Sequence, residues 1–445
     1  MRIISFLSIA LLCLLYACSN EPSESTDLLL QNVLMEKGGS EGLAHFELPD
    51  SEDYNSIPQD PLNPITRPKV ELGKLLFHET ALASEGNFVQ TVNTYSCASC
   101  HHADGGFQAN VPQGIGDGGM GFGTTGEARF FNPLCATADI DVQPIRSPSI
   151  LNSAYQTNML WNGQFGATGV NVGTESQWTP DTPKESNQLG FEGVETQAIA
   201  GLGVHRFGLS IDQDFIMNTE YKELFDIAFN DVPDEERYAA RSAGLAIAAY
   251  ERTVLANHSP FQNWLKGDKS ALTENQKEGA LLFFSNNCVD CHTGPALSSM
   301  EFHGFGFHDL RNSAQVINIP SEYTEQRGRG GFTGNPADDY KFKVPQLYNL
   351  KDSKFYGHGA SFNSLEELIA YKVKGIPENL EVPASQLASQ FQDYGFSNND
   401  INKLVDFIEN GLYDPSLKRF EPTALPSGNC FPNNDALSRV DLGCL

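Results

Sequence analysis

The chain has 445 residues, 40% of them hydrophobic, and a formal net charge of -27. That is enough chain for two ordinary globular domains, and the composition excludes a disordered class. The charge excludes nucleic acid as a partner, because such a surface repels phosphates, while a small basic partner remains compatible with it.

In chain order, Met1 and Arg2 precede an apolar run over residues 3–16 that ends in Leu15-Tyr16-Ala17-Cys18 and the polar "SNEPSEST". A positive start, a short apolar stretch and a small residue before the break predict an export signal over residues 1–17. The run is too short, and wrongly flanked, for a membrane-spanning helix. A cysteine directly after Leu-x-Ala resembles a bacterial lipobox. On that reading Cys18 is lipidated, and acyl chains hold an otherwise soluble protein on the periplasmic side of a membrane, expected to be the outer one. A secreted protein with an incidental Cys18 is the alternative. Residues 18–60 read as a flexible tether. In an oxidising compartment, Cys430 and Cys444 are candidates for a disulfide closing the tail, residues 426–445, which leaves Cys135 without a role.

Two segments resemble each other. "VELGKLLFHE" (residues 70–79) and "QKEGALLFFSNN" (residues 276–287) share Glu, Gly, Leu-Leu and Phe at helical spacing, and each precedes a C-x-x-C-H sequence. The first copy holds an extra stretch, residues 80–94, between helix and cysteines. Further helices are expected from "DEERYAARSAGLAIAAYERTV", "SLEELIAYKVKG" and "NNDINKLVDFIENGL", the last two with Ser or Asn near their starts. Glycine-rich stretches such as "QGIGDGGMGFGTTGEARFF" have neither helical nor strand period. The expectation is a mainly α fold with long irregular loops. A helical unit over residues 61–255 and a second over 256–425 each carry one copy of the repeat.

C-x-x-C-H is the attachment sequence for c-type haem: two thiols add across the vinyl groups and the adjacent histidine ligates the iron. Zinc needs four converging ligands, and a thiol redox pair needs a β-α-β context that is missing. Two covalent haem c groups are therefore expected, one on Cys97, Cys100 and His101, the other on Cys288, Cys291 and His292. Two protein ligands per iron favour electron transfer; an open position beside acid–base groups favours chemistry on peroxide or oxygen.

From about residue 70 to 375 the chain resembles the bacterial dihaem cytochrome c peroxidase/MauG family. The matching pieces, in order, include "ELGKLLF", "SCASCHH", "RSPSILNSAY", "LWNGQF", "ETQA", "EGALLFF", "CVDCHTGPAL" and "YGHGASFNSLEEL". The resemblance implies two cytochrome c-like domains, a peroxidatic N-terminal haem and a C-terminal haem that receives electrons from a small cytochrome or cupredoxin. It also implies reduction of hydrogen peroxide to water, a homodimer in many members, and an inter-domain calcium whose asparagine is replaced near Ser147. Trp161 falls on the family's tryptophan between the haems, and Gln197 on its active-site glutamine. His358 matches a family histidine and is expected to shape the haem environment.

Three departures stand out. Asp117 in "IGDG" replaces the histidine that caps the resting N-terminal iron, so this iron is expected to stand open; Met120 and His102 are weaker stand-ins. His205 and Arg206 fall at or beside the catalytic glutamate. A base that moves the peroxide proton and a cation that stabilises departing hydroxide suit O–O cleavage. At the C-terminal haem, no methionine follows Met300, and Tyr371 and Lys372 are the candidate second ligands. The rivals to a peroxidase are a MauG-like oxidant of a protein or organic substrate and a non-catalytic dihaem electron carrier.

Overall fold

The computed structural model describes residues 25–208 and 214–444; the export segment and Cys18 lie outside the described residues. The frame is set by helices α1 (Thr26–Lys37), α2 (Arg67–His78), α3 (Gly193–Val204), α4 (Ala240–Thr253), α5 (Glu274–Ser285), α6 (Leu365–Lys374), α7 (Asn398–Asp406) and α8 (Ala436–Asp441). Strands among the described residues are limited to two antiparallel pairs of two residues each. Gly119–Met120 pairs with Phe130–Phe131, with Gly119 opposite Phe131, and Phe302–His303 pairs with Phe342–Lys343. The mainly α expectation holds.

The repeat seen in the sequence is a repeat in space. Helix α2 starts at Thr66, whose side chain accepts from the Lys69 amide, and α5 at Thr273, which forms a reciprocal capping box with Gln276. Helix α2 packs on α4, and α5 on α7. The shared glycine lies at each crossing. A Cβ on Gly73 would sit 1.9 Å from the Ala246 carbonyl oxygen, and one on Gly279 would sit 2.0 Å from that of Lys403. Neither helix pair can approach this closely with a side chain in between. One continuous apolar core, including Leu72, Phe77 and Ala246 in the first unit and Phe283, Phe284 and Phe407 in the second, joins the two.

Two expectations need correction, and the expected disulfide of the tail is formed. The segment taken as a flexible tether is folded from Thr26 onward: Leu30 and Leu34, one turn apart, are fully buried, and α1 lies against α5. Asp27 fixes it there, accepting from the Trp264 indole (2.7 Å) and the Lys277 ammonium (2.8 Å). The long helix expected from residue 234 is broken into a short turn, Asp234–Arg237, and α4. There the Arg237 guanidinium bonds the Phe229 and Val232 carbonyls and Asp226, turning its segment out of line. The tail is not peripheral. Cys430 and Cys444 form a disulfide, and the segment they close packs on the first C-x-x-C-H: the hydroxyls of Ser96 and Ser99 donate to the Pro432 carbonyl at 2.9 and 3.1 Å. The N-terminal helix therefore braces the C-terminal unit, and the C-terminal tail braces the N-terminal one.

Candidate active site

Each C-x-x-C pair forms a single helical turn, Cys97–Ser99 and Cys288–Cys291. His101 Nδ1 donates to the Phe107 carbonyl (3.3 Å) and His292 Nδ1 to that of Leu297 (3.0 Å). With Nδ1 tied to a carbonyl, Nε2 carries the lone pair, the arrangement a metal-binding imidazole needs. All four thiols are unpaired. Burial pushes those of Cys100, Cys288 and Cys291 up to about 11, and that of Cys97 higher still. Thiols raised in this way lack the lowered pKa of an activated redox pair. A cavity walled by Cys288, Cys291 and His292 and lined mainly by apolar side chains, among them Phe305 and Phe307, adjoins the second motif. At the first, Gly114 packs bare against the Cys100 sulfur and the Ser147 hydroxyl. The residues present fit covalently attached haem at the second motif, and the first offers the same pair of free thiols and an imidazole held by Nδ1.

Beyond His101 the surroundings are polar. His205 ends α3, close enough that its charge lowers the proton affinity of His101. Its backbone carbonyl accepts from the Tyr95 hydroxyl (2.8 Å), and its Nδ1 donates to Asp141 Oδ2 (2.7 Å). The His205 ring keeps 37% of its side-chain surface accessible, whereas Asp141 beneath it keeps 5%. Burial opposes its cationic form, but the charge and hydrogen bond of Asp141 outweigh that and raise its pKa. Burial likewise opposes ionisation of Asp141, and His205 overrides it, so the Asp141 pKa is lowered.

Arg206 follows in a left-handed conformation (φ 59°) and pairs with Asp117, Nη1 to Oδ2 3.0 Å. Asp117 is fully buried and also accepts from the Asn87 amide (2.6 Å) and the Thr91 hydroxyl. The amide of Asp141 donates to the Asp117 carbonyl (2.9 Å), so the two carboxylates stand on neighbouring backbone. Residues 80–94, the stretch the second copy lacks, supply Asn87 and Thr91. They also bracket the His205–Arg206 turn, Glu85 N donating to the Arg206 carbonyl and Gly208 N to that of Leu82. Two readings change. Asp117 is committed to Arg206, and the charge of Arg206 is largely offset by Asp117, so its expected role with hydroxide weakens while a positioning role emerges. Gln197 lies two turns earlier on α3, half-buried, without a hydrogen bond to His205 or Asp141 among the described contacts. Met120 sits in the first strand pair, and His102 is enclosed by Phe122, Gly105 and Gly126, where burial lowers its pKa to about 3.

Trp161 lies on the wall of the second cavity. Its indole donates to the Arg146 carbonyl (2.8 Å), and its own carbonyl accepts from the Lys343 amide (2.7 Å). Arg146 is 2% exposed and bonds Gln108 (2.6 Å), the Ala109 carbonyl and Ser353; its amide donates to the His358 carbonyl (2.9 Å). His358 stacks on Phe342 with centroids 3.6 Å apart and bonds Asp309 (3.0 Å). Trp161, Arg146 and His358 thus form one packed link between the units. Sequence reasoning missed Arg146, Asp141 and Tyr95. The arginine in "RSPS" was visible as a charge in an otherwise apolar context, whereas Asp141 carries no local signal.

The Tyr371 phenol does not face the second cavity. It lies between the carbonyls of Phe305 (2.6 Å) and Gly306 (2.9 Å) and accepts from the Glu378 amide (3.1 Å), so its oxygen is committed to backbone and the expectation that it ligates iron is withdrawn. Lys372 is on the cavity wall. Cys291, Glu301 and His303 lie close enough together to hold a metal ion, but the Cys291 sulfur belongs to the attachment motif.

Residues 67–270 match the family described as di-haem cytochrome c peroxidase. The methylamine utilization protein MauG of Methylorubrum extorquens is 27% identical over 403 residues, 90% of each chain. Cytochrome c551 peroxidase of Nitrosomonas europaea is 26% identical over 82% of this chain and 85% of its own. Among solved structures, a MauG-like protein associated with microbial copper homeostasis superposes with a TM-score of 0.56 at 23% identity, over 84% of this chain and 96% of that one, a likeness of fold.

Proposed function

We propose that the chain is a member of the dihaem cytochrome c peroxidase/MauG family, to which it is similar, and that it reduces hydrogen peroxide to water at the His101 side and takes electrons in through the His292 side. Bound at the two motifs, haem c supplies the redox-active iron and the electrophilic centre at which an O–O bond is cleaved. His205 accepts the proton from the near peroxide oxygen and returns it to the leaving oxygen. Asp141 holds the ring by Nδ1, which leaves Nε2 for that transfer. Arg206, anchored on Asp117, fixes the turn that carries His205, and Gln197 lies two turns earlier on the same helix. Each peroxide takes up two electrons and two protons and gives two waters. Trp161, packed between the units, lies on the path between the two sites.

The observation that carries this reading is the His205–Asp141 pair beside His101, together with the engagement of both Asp117 oxygens, Oδ2 by Arg206 and the Asn87 amide and Oδ1 by the Thr91 hydroxyl. The test is the resting spin state of the holoprotein by electron paramagnetic resonance, followed by peroxide addition with reduced cytochrome c as donor. A high-spin ferric signal at one iron and donor oxidation by peroxide support the proposal. Two low-spin irons and no turnover would reduce the protein to an electron carrier. A MauG-like oxidation of an organic or protein substrate is the second reading, favoured by the similarity to MauG and by the absence of methionine after Met300; reaction with peroxide but no oxidation of a donor cytochrome distinguishes it. A lipid anchor on Cys18, a periplasmic site, a small cytochrome or cupredoxin donor and a homodimer complete the proposal. Among the described residues no helix is long and apolar enough to cross a membrane. No residues are assigned to calcium.

A further inference from the structure

Lys372 lies in α6, on the wall of the cavity that His292 borders. Its ammonium lies 4.6 Å from the Phe305 ring centroid and 5.9 Å from that of Phe307. It is surrounded by protein and has neither a hydrogen bond nor an ion pair among the described residues. A lysine in such a place is costly, since burial disfavours its charge and only the two aromatic rings offset it. The usual outcomes are a paired lysine or a surface one, and the same wall shows the paired case: Lys343 bonds Gln156 and the Asn158 carbonyl (2.9 Å). Lys372 lines the same cavity as the attachment residues Cys288, Cys291 and His292. Other strong donors on the wall are engaged: His303 with Glu301 (2.9 Å) and His358 with Asp309.

We propose that the Lys372 Nζ is the second axial ligand of the His292-bound iron, giving that haem a histidine–lysine pair. This rests on haem attachment at Cys288, Cys291 and His292, and is independent of peroxide turnover. Coordination needs the free amine: the ammonium releases a proton to solvent, and the nitrogen lone pair forms the bond to iron. An amine favours ferric iron more than a thioether does, so this site has a lower reduction potential than a histidine–methionine haem. The vacancy opposite His292 is thereby closed, in contrast to the side of His101 that faces His205.

The test uses the mature holoprotein with haem content and folding checked by pyridine haemochrome and circular dichroism. The wild type is expected to show one low-spin ferric signal and no far-red methionine–iron band. Lys372→Met should introduce that band and raise the potential of one haem. Lys372→Arg, which keeps charge and bulk but cannot ligate, should lose the low-spin signal and gain a second high-spin one. Tyr371→Phe should leave the spectrum unchanged. A low-spin signal that survives Lys372→Arg, or disappears in Tyr371→Phe, would overturn the assignment. One haem per chain, retained when Cys288 is replaced, would sink the attachment at His292 and this proposal with it.

Discussion

The two C-x-x-C-H neighbourhoods are alike below the imidazole and unlike above it. In both, a carbonyl five or six residues on holds Nδ1, a glycine lets two helices cross at contact, and buried neutral thiols flank the turn. Near His101 stand a histidine and an arginine, each tied to a buried carboxylate; the cavity that His292 borders has a mainly apolar wall that carries the Lys372 amine. A duplicated unit can therefore keep its attachment chemistry fixed while acquired segments decide what each copy does. Here residues 80–94, present only in the first copy, build the polar side by anchoring Asp117 and the His205–Arg206 turn.

The largest effect that can break this contrast is loss of the base. His205→Ala is expected to slow the reaction with peroxide by about 10²–10⁴-fold, the usual contribution of a positioned proton carrier. The haem content and the low-spin signal of the second site should not change. Stopped-flow mixing with peroxide measures it, and an unchanged rate removes His205 from the mechanism and leaves the two copies functionally equivalent.

Smaller effects separate the braces of the two copies. Leu34→Ala opens a cavity between α1 and α5, and the expected cost is about 2–5 kcal/mol. It should fall on the C-terminal unit, read as a lowered denaturation midpoint with faster hydrogen exchange in α5 and little change around His101. Replacing Cys430 and Cys444 with serine removes a link of sequence separation 14, for which chain entropy gives about 3 kcal/mol. That loss should appear around the Cys97–Ser99 turn, which the tail contacts. If either variant loosens the opposite unit instead, the crossed bracing is wrong.

How far this was readable before the fold was known differs between local and distant features. The motifs, the helix repeat and the capped starts of α6 and α7 are local, and their spacing alone reveals the attachment chemistry and the class of fold. Leu30 and Leu34 were legible as a helical stripe but short enough to pass for a linker, because the surface they cover lies more than two hundred residues away. The Asp141–His205 and Asp117–Arg206 pairs join residues 64 and 89 positions apart, and no period or spacing encodes them. The adjacent Tyr371 and Lys372 point to different surroundings, which only the path of α6 decides: one hydroxyl meets backbone carbonyls, the next side chain meets the cavity.

The smallest change tests the electrostatics of the polar side without removing any proton carrier. Asp141 holds the pKa of His205 above the ordinary histidine value of 6.5. Only the neutral ring accepts a proton, so the peroxide rate should rise with pH through that raised pKa and be low beneath it. The ion pair works in the opposite sense on stability. A raised folded-state pKa stabilises the turn fully below the unfolded histidine pKa, and the contribution is lost as pH climbs through the folded value. Asp141→Asn keeps a hydrogen-bond acceptor but removes the charge, so the rising limb should move to lower pH. The plateau rate should fall by about 10-fold, as for the loss of a group that orients another. The checks are pH profiles of the bimolecular peroxide rate and of the denaturation midpoint for both proteins. A limb that stays in place would mean that the carboxylate does not set the proton affinity of His205, which burial and the charge of Arg206 both act to lower.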